Sequence, residues 1–326
     1  MTVRALITGG AGFIGSHLAD ALLARGDSIV LLDDLSTGRL ENIEHLRQRD
    51  DVDFVLGSIL DADLVSDVMS RVDVCFHLAA AVGVQLIVDK PLESLATNLR
   101  GSEIVFEKAH EHGTKVLVTS TSEIYGKNTS DKLGEEDDRI LGSPLKSRWS
   151  YSEAKAIEEI LAYTYWRQKG LPTVIVRLFN TVGPRQTGHY GMVIPRFVGQ
   201  AVKGEPITVY GDGQQTRCFC FVGDVVTGLL ALMDHPDASG RAYNLGGTEE
   251  VSMEQLARKI VDVVGSSSTV RFIPYDEAYE EGFEDMQRRV PDTTRAHELV
   301  GFAPEVGLDE ILQRVVDDQR RRRATG

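Results

Sequence analysis

The chain predicts an α/β fold: a doubly wound parallel sheet carrying a smaller C-terminal α/β lobe. Three observations carry that expectation. Short apolar, β-branched runs recur from Val3 to Ser120, separated by helical patterns or loops, and such runs mark strands covered on both faces. The junction after the first run reads GGAGFIG. The second run ends on a carboxylate, Asp33.

The first strand spans Val3 to Thr8, and the helix after it keeps an apolar face through Ala19, Leu22 and Leu23 until Gly26 stops it. Gly9, Gly12 and Gly15 stand at the spacing of a phosphate-binding turn. Glycine is needed there because the turn is tight and the backbone must approach a pyrophosphate, which then rests on N–H groups at the positive end of the helix. The second strand, Ser28 to Leu32, delivers Asp33 eighteen residues past Gly15. A carboxylate at that place accepts hydrogen bonds from ribose hydroxyls and opposes a 2′-phosphate, so NAD is expected rather than NADP. Further units follow: a strand in DFVLGS, a helix near Asp63 to Ser70, a strand in VCFHLAA, a helix over about Pro91 to His112, and the strand TKVLVTS ending at Ser120. That alternation builds a parallel sheet. His77, inside an apolar strand end, reads as structural rather than as a base.

Directly after the fifth strand comes STSEIYG, which sets Glu123 behind the hydroxyls of Thr121 and Ser122. Ligands bind at strand ends in such sheets, yet the same residues can simply cap a loop. Downstream, SRWSYSEAK places Tyr151 and Lys155 four apart, on one face of a helix. A neighbouring ammonium and a nicotinamide cation favour the phenolate, so the tyrosine is expected to take a hydroxyl proton.

With the glycine loop, Asp33, the hydroxyl pair and Tyr-x-x-x-Lys in one chain, the sequence resembles the extended short-chain dehydrogenase/reductase superfamily over nearly its whole length. Members are Rossmann-type, NAD-dependent enzymes that epimerise, dehydrate or decarboxylate nucleotide sugars. The resemblance implies NAD lying along Gly9, Gly12, Phe13, Ile14, Gly15, Asp33, Leu78, Ala79, Ala80, Asn98, Tyr151 and Lys155. Ser58 stands at the adenine end, a departure from the Gly-Asp that the family usually carries there. It also implies Thr121, Ser122, Glu123, Tyr151, Lys155 and Arg289 as the catalytic set, and Asn180, Val193, Arg196, Tyr210, Arg217 and Arg289 around the substrate. No metal is implied.

Within the superfamily, TSEIYG resembles the UDP-glucuronate decarboxylases. The acidic stretch from Glu135 leading to Arg148, Trp149 and Tyr151 resembles the decarboxylase domain of polymyxin-resistance enzymes and plant UDP-apiose/xylose synthases. The implied reaction is NAD-dependent decarboxylation of UDP-glucuronate through a 4-keto intermediate to UDP-xylose or a UDP-4-keto-pentose. A UDP-sugar 4-epimerase would share every NAD residue, but has no use for a carboxylate at Glu123. A non-catalytic NAD sensor would normally lose Tyr151 or Lys155.

The NAD domain is expected at about residues 1–182 with a return passage at 220–245, and the nucleotide-sugar lobe at 183–219 and 246–326. In that lobe Pro195 and Gly204 punctuate a helix. Amphipathic helices near 99–112 and 152–169 either pair with a second copy as a homodimer or cover the sheet. A formal charge of −14 and a pI near 5.1 argue against nucleic-acid or anionic-membrane partners. The basic run Arg320 to Arg323 reads as a solvated helix end. Cys75, Cys218 and Cys220 cannot all pair and show no zinc spacing. With no apolar run of membrane length and no room for a leader before Val3, a cytoplasmic protein is expected.

Overall fold

The computed structural model describes residues 2–81, 91–146, 149–188, 192–278 and 286–325. Six strand segments with their helices open the chain: β1 (Arg4–Thr8), α1 (Phe13–Ala24), β2 (Ser28–Asp33), β3 (Val52–Leu56), α2 (Ala62–Met69), β4 (Val74–His77), α3 (Pro91–Ala96), α4 (Ser102–His112), β5 (Lys115–Thr121), α5 (Ser150–Lys169) and β6 (Thr173–Leu178). The chain continues through β7 (Thr181–Val182), α6 (Val193–Lys203), β8 (Ile207–Tyr210), β9 (Thr216–Cys218), β10 (Cys220–Phe221), α7 (Val222–Asp234) and β11 (Arg241–Leu245). It closes with β12 (Glu250–Ser252), α8 (Met253–Val264), β13 (Val270–Ile273), β14 (Arg288–Arg289), α9 (Thr294–Val300) and α10 (Leu308–Thr325).

The main sheet is seven-stranded and parallel throughout, in the order β11-β6-β5-β4-β1-β2-β3. Alternation along its central strands feeds two cores. Ala5, Ile7, Ile29 and Leu31 pack with Leu18 and Leu22 of α1 and Val225 and Leu229 of α7. Leu6, Val30 and Leu32 face Val65 and Val68 of α2, Ile104 and Phe106 of α4 and Ala162 of α5. Each of the Val, Leu, Ile and Phe side chains here, fully buried, stabilises the fold by about 1.5–3 kcal/mol. A third core joins α6, α8 and α10 through Ile194, Phe197, Leu256, Ile260, Ile311 and Leu312, beneath the small pair β13-β8. The single helix expected over Pro91 to His112 is two helices joined by a π turn at Thr97–Gly101. There Gly101 is pressed so closely on Ile59 that a Cβ would lie 2.4 Å from its Cδ1.

Strand order reverses between β1 and β4, so the loops leaving their carboxyl ends diverge and open a crevice. The segment after β5 crosses that end of the sheet: Leu133 pairs with Pro291, and the Glu135 carboxylate accepts the Asn244 N–H at 2.8 Å. Guanidinium ends of the basic run reach neighbouring helix ends, Arg320 donating to the Val264 carbonyl and Arg323 to that of Val202, which suits a cation at a helix C-terminus. Among the described residues no helix is long and apolar enough to cross a membrane.

Candidate active site

The crevice is a cavity of about 530 Å³ running from the glycine turn to the small strands of the C-terminal segments. At the first end, Gly9 has φ +73°, and a Cβ on Gly15 would lie 2.2 Å from the Gly9 carbonyl. Only glycine fits at either place. The Asp33 carboxylate is buried and accepts the N–H groups of Ala11 at 2.9 Å and Leu35 at 2.8 Å. Burial raises its pKa, and those two donors work against the rise. Gly12, Phe13, Ile14, Leu78, Ala79 and Ala80 complete this wall. The cradle fits a dinucleotide: backbone is bared where a pyrophosphate must approach, and the carboxylate stands where a ribose lies.

Two residues expected at the cofactor stand outside the cavity lining. The Ser58 hydroxyl accepts the Leu60 N–H at 3.3 Å and so is used in the turn into α2, while Gly57 and Ile59 line the cavity on either side of it. Asn98, in the π turn, brackets the backbone of Ala81, accepting its N–H at 2.8 Å and donating to its carbonyl at 3.3 Å. It props the loop that follows β4 rather than facing the crevice.

Tyr151 and Lys155 point into the middle of the cavity from the first turns of α5. Lys155 Nζ donates to Glu158 Oε2 at 2.7 Å, both side chains being buried. In the chain by itself the Tyr151 side chain favours the neutral phenol. Burial first, then the charges of Glu123 and Glu158, push its pKa well above the usual value. His77 is buried, and desolvation with the Lys155 charge drives its pKa down to about 3, so it is a neutral structural residue.

Thr121 ends β5 and caps a short 3₁₀ turn, Ser122–Tyr125, that carries Ser122 and Glu123. The Thr121 hydroxyl accepts the Glu123 N–H at 3.2 Å, and its own proton can still be given into the cavity. Ser152 of α5 donates to the Glu123 carbonyl at 2.9 Å, locking this turn to the helix that carries Tyr151. Arg289 arrives from a distant part of the chain: β14 pairs with β9, which sets Arg289 beside Arg217. Its Nη1 lies 3.3 Å from Ser122 Oγ and 3.8 Å from Glu123 Oε1.

At the far end Arg196 lies over the Tyr210 ring at 4.3 Å, and Gln215 donates to the Tyr210 carbonyl and the Tyr275 hydroxyl. Asn180, Val193 and Arg217 line the same region, Asn180 donating to the Cys218 carbonyl at 2.9 Å. Arg148 lies outside the described residues. No group of His, Cys, Asp and Glu among the described residues could hold a metal ion.

Residues 5–246 match the NAD dependent epimerase/dehydratase family. The chain belongs to that family. A protein of Bacillus cytotoxicus named UDP-N-acetyl-alpha-D-glucosaminuronate decarboxylase is 40% identical, with 97% of each chain covered. UDP-glucuronic acid decarboxylase 1 of Arabidopsis thaliana is 36% identical over 98% of this chain and 70% of its own. Among solved structures, the UDP-glucuronic acid 4-epimerase of Bacillus cereus, in complex with UDP-glucuronic acid and NAD, superposes with a TM-score of 0.88 at 28% identity, covering 98% and 99% of the two chains. The cofactor of the epimerase/dehydratase family is NAD, and the glycine end of the crevice is shaped for it.

Several residues that shape this site escape sequence reasoning. Glu158 reads in sequence as one more solvated charge on a helix. Tyr125, Arg177 and Asn244 form a buried network below the Glu123 turn: the Tyr125 hydroxyl donates to Asn244 at 2.7 Å and accepts from Arg177 at 3.0 Å. Arg177 is held in turn by Glu159 at 2.7 Å. No spacing rule links four residues so far apart in the chain.

Proposed function

We propose that the protein is a NAD-dependent decarboxylase of UDP-glucuronate, acting through a 4-keto sugar to give UDP-xylose, a UDP-4-keto-pentose, or both. The observation that carries the reading is the cluster of Ser122, Glu123 and Arg289 beside Tyr151, since a uronate carboxylate needs such partners and a neutral sugar does not. The names of the Bacillus and Arabidopsis relatives support it. In this reading residues 1–182 with the passage 220–245 hold NAD, and 183–219 with 246–326 hold the nucleotide sugar, Arg196 and Arg217 facing its diphosphate.

NAD supplies the acceptor for the C4 hydrogen as hydride, and its donor on return. Tyr151 takes the C4 hydroxyl proton, Thr121 donates to the same oxygen, and Lys155 balances the phenolate. The resulting ketone is β to the C6 carboxylate. The C5–C6 bond then breaks, its electron pair enters an enolate over C5, C4 and O4, and carbon dioxide leaves. Glu123 orients that end of the sugar or relays a proton to C5. Arg289 shares its charge with Glu123 and Ser122, so it holds the carboxylate without the full ground-state ion pair that would oppose departure of carbon dioxide.

Incubation with UDP-glucuronate and NAD is expected to release carbon dioxide and form a UDP-pentose or its 4-keto form, read by mass spectrometry. UDP-N-acetylglucosaminuronate, run alongside, tests the substituent at C2 that the Bacillus relative's name specifies. Formation of UDP-galacturonate with carbon retained would replace this reading by the 4-epimerase alternative, to which the Bacillus cereus structure corresponds.

We also propose a homodimer through α5, where Ile157, Ile160, Tyr163 and Trp166 recur at helical spacing and are 37–61% exposed. Sedimentation equilibrium is expected to give twice the chain mass, and Ile160→Glu to return the monomer. A wild-type monomer at micromolar concentration would leave that stripe as cover for something else.

A further inference from the structure

Behind Tyr151 and Lys155 lies a run of buried polar side chains that the reaction above does not use. Thr8 Oγ1, at the end of β1, accepts the Ala79 N–H at 3.2 Å and lies 2.7 Å from His77 Nδ1. His77 Nε2 lies 2.9 Å from Ser102 Oγ on α4. The Ser102 hydroxyl faces the Glu158 carboxylate and favours its ionised form, and Glu158 accepts Lys155 Nζ at 2.7 Å.

The contacts admit a proton assignment that runs in one direction. Thr8 accepts from Ala79 and keeps a second lone pair, so either His77 tautomer fits; in one of them Thr8 gives its own proton to His77 Nδ1. The neutral imidazole then carries its proton on Nε2 and gives it to Ser102, which turns the Ser102 proton toward Glu158. Every donor points one way, and the run ends in a carboxylate that also takes the lysine. The second oxygen of that carboxylate, Oε1, is buried with no hydrogen-bond partner among the described residues. Burial raises the Glu158 pKa to about 6, while the Lys155 ammonium at 2.7 Å and the Ser102 hydroxyl favour the carboxylate.

That anion fixes the charge count of the site. Phenol, ammonium and carboxylate together sum to zero, so the first proton to leave makes a buried net negative cluster. Remove the carboxylate charge and the pair begins at plus one. Its first proton then leaves more easily, whether assigned to Tyr151 or to Lys155. Few other charged or titratable groups face the pair: Glu123 on the turn after β5, set against Arg289 of β14; Glu159 of α5, held by Arg177 of β6; and neutral His77 of β4. From α4 the group in this run is the uncharged Ser102 hydroxyl.

We propose that Glu158 is a positioning residue for the Tyr151–Lys155 pair: it fixes the ammonium, and its charge sets how readily the tyrosine gives up its proton. The proposal rests on Tyr151 and Lys155 being the acid–base pair of the reaction above, but its test needs no sugar. The NAD-loaded protein is titrated by tyrosinate absorbance, and the Tyr151 phase is the one missing from Tyr151→Phe. Glu158→Gln is expected to move that phase to lower pH by about one unit or more, the usual effect of a close charge. Glu158→Asn should do the same and Glu158→Asp should not, a comparison that survives if the Gln variant fails to fold. A Gln phase at the parental pH, or Asp and Asn phases that move together, would overturn the assignment in favour of a purely structural side chain. Failure of the decarboxylase reading would show instead as an unreactive parent, with the titration unchanged.

Discussion

Tyr151→Phe is expected to lose hydride transfer by about a thousandfold or more while keeping its fold and its affinity for NAD. The substitution removes one hydroxyl and opens no cavity in a side chain that is otherwise packed and buried. Cofactor contact along the glycine turn, Asp33 and the loop after β4 does not depend on that oxygen. Single-turnover reduction of NAD by UDP-glucuronate reads the loss, and a binding titration reads what is retained. A variant that still reduces NAD near the parental rate would take Tyr151 out of the reaction and shift attention to the Thr121 hydroxyl.

The second large effect separates two steps of one turnover. Glu123→Gln is expected to cut release of carbon dioxide about a hundredfold, the usual scale for a lost acid–base group. Oxidation at C4 should persist, because the charge of Glu123 raises the Tyr151 pKa and its removal eases departure of the phenol proton. Substrate affinity should change little, since Arg289 keeps Ser122 as a partner. The measurement is NAD reduction and carbon dioxide release followed in the same sample. Undiminished decarboxylation would make Glu123 the cap of a short turn and nothing more.

How far the sequence could be read depended on whether the deciding interaction was local. Strands β1, β2, β4 and β5 were legible because a strand buried on both faces must be apolar at successive positions. The glycine turn was legible because close approach of backbone admits one residue type. Tyr151 and Lys155 announced themselves by helical spacing. Their electrostatics did not: burial, which raises the Tyr151 pKa, and the Glu158 carboxylate, which takes the Lys155 ammonium at 2.7 Å, are set by packing and not by spacing. The pairing of Arg288 and Arg289 with β9 was equally unreadable, being two polar residues without periodicity whose place is set by a partner strand far earlier in the chain. Ser58 and Asn98 were assigned to the cofactor through the resemblance, and both are engaged with backbone nearby, in the turn into α2 and in the loop that follows β4, outside the cavity lining.

The edge of the main sheet has a consequence for biogenesis. β6 is finished at Leu178, but its outer neighbour, β11, is not made until Arg241–Leu245. A nascent or truncated chain ending between them presents the row TVIVRL with one side of its backbone unpaired, an apolar and nearly fully buried strand in the finished protein. Such an open edge is a template for pairing with another chain. Fragments ending shortly before residue 241 should therefore aggregate more readily than fragments that reach Leu245 and pair this strand, a difference read by pelleting the two side by side.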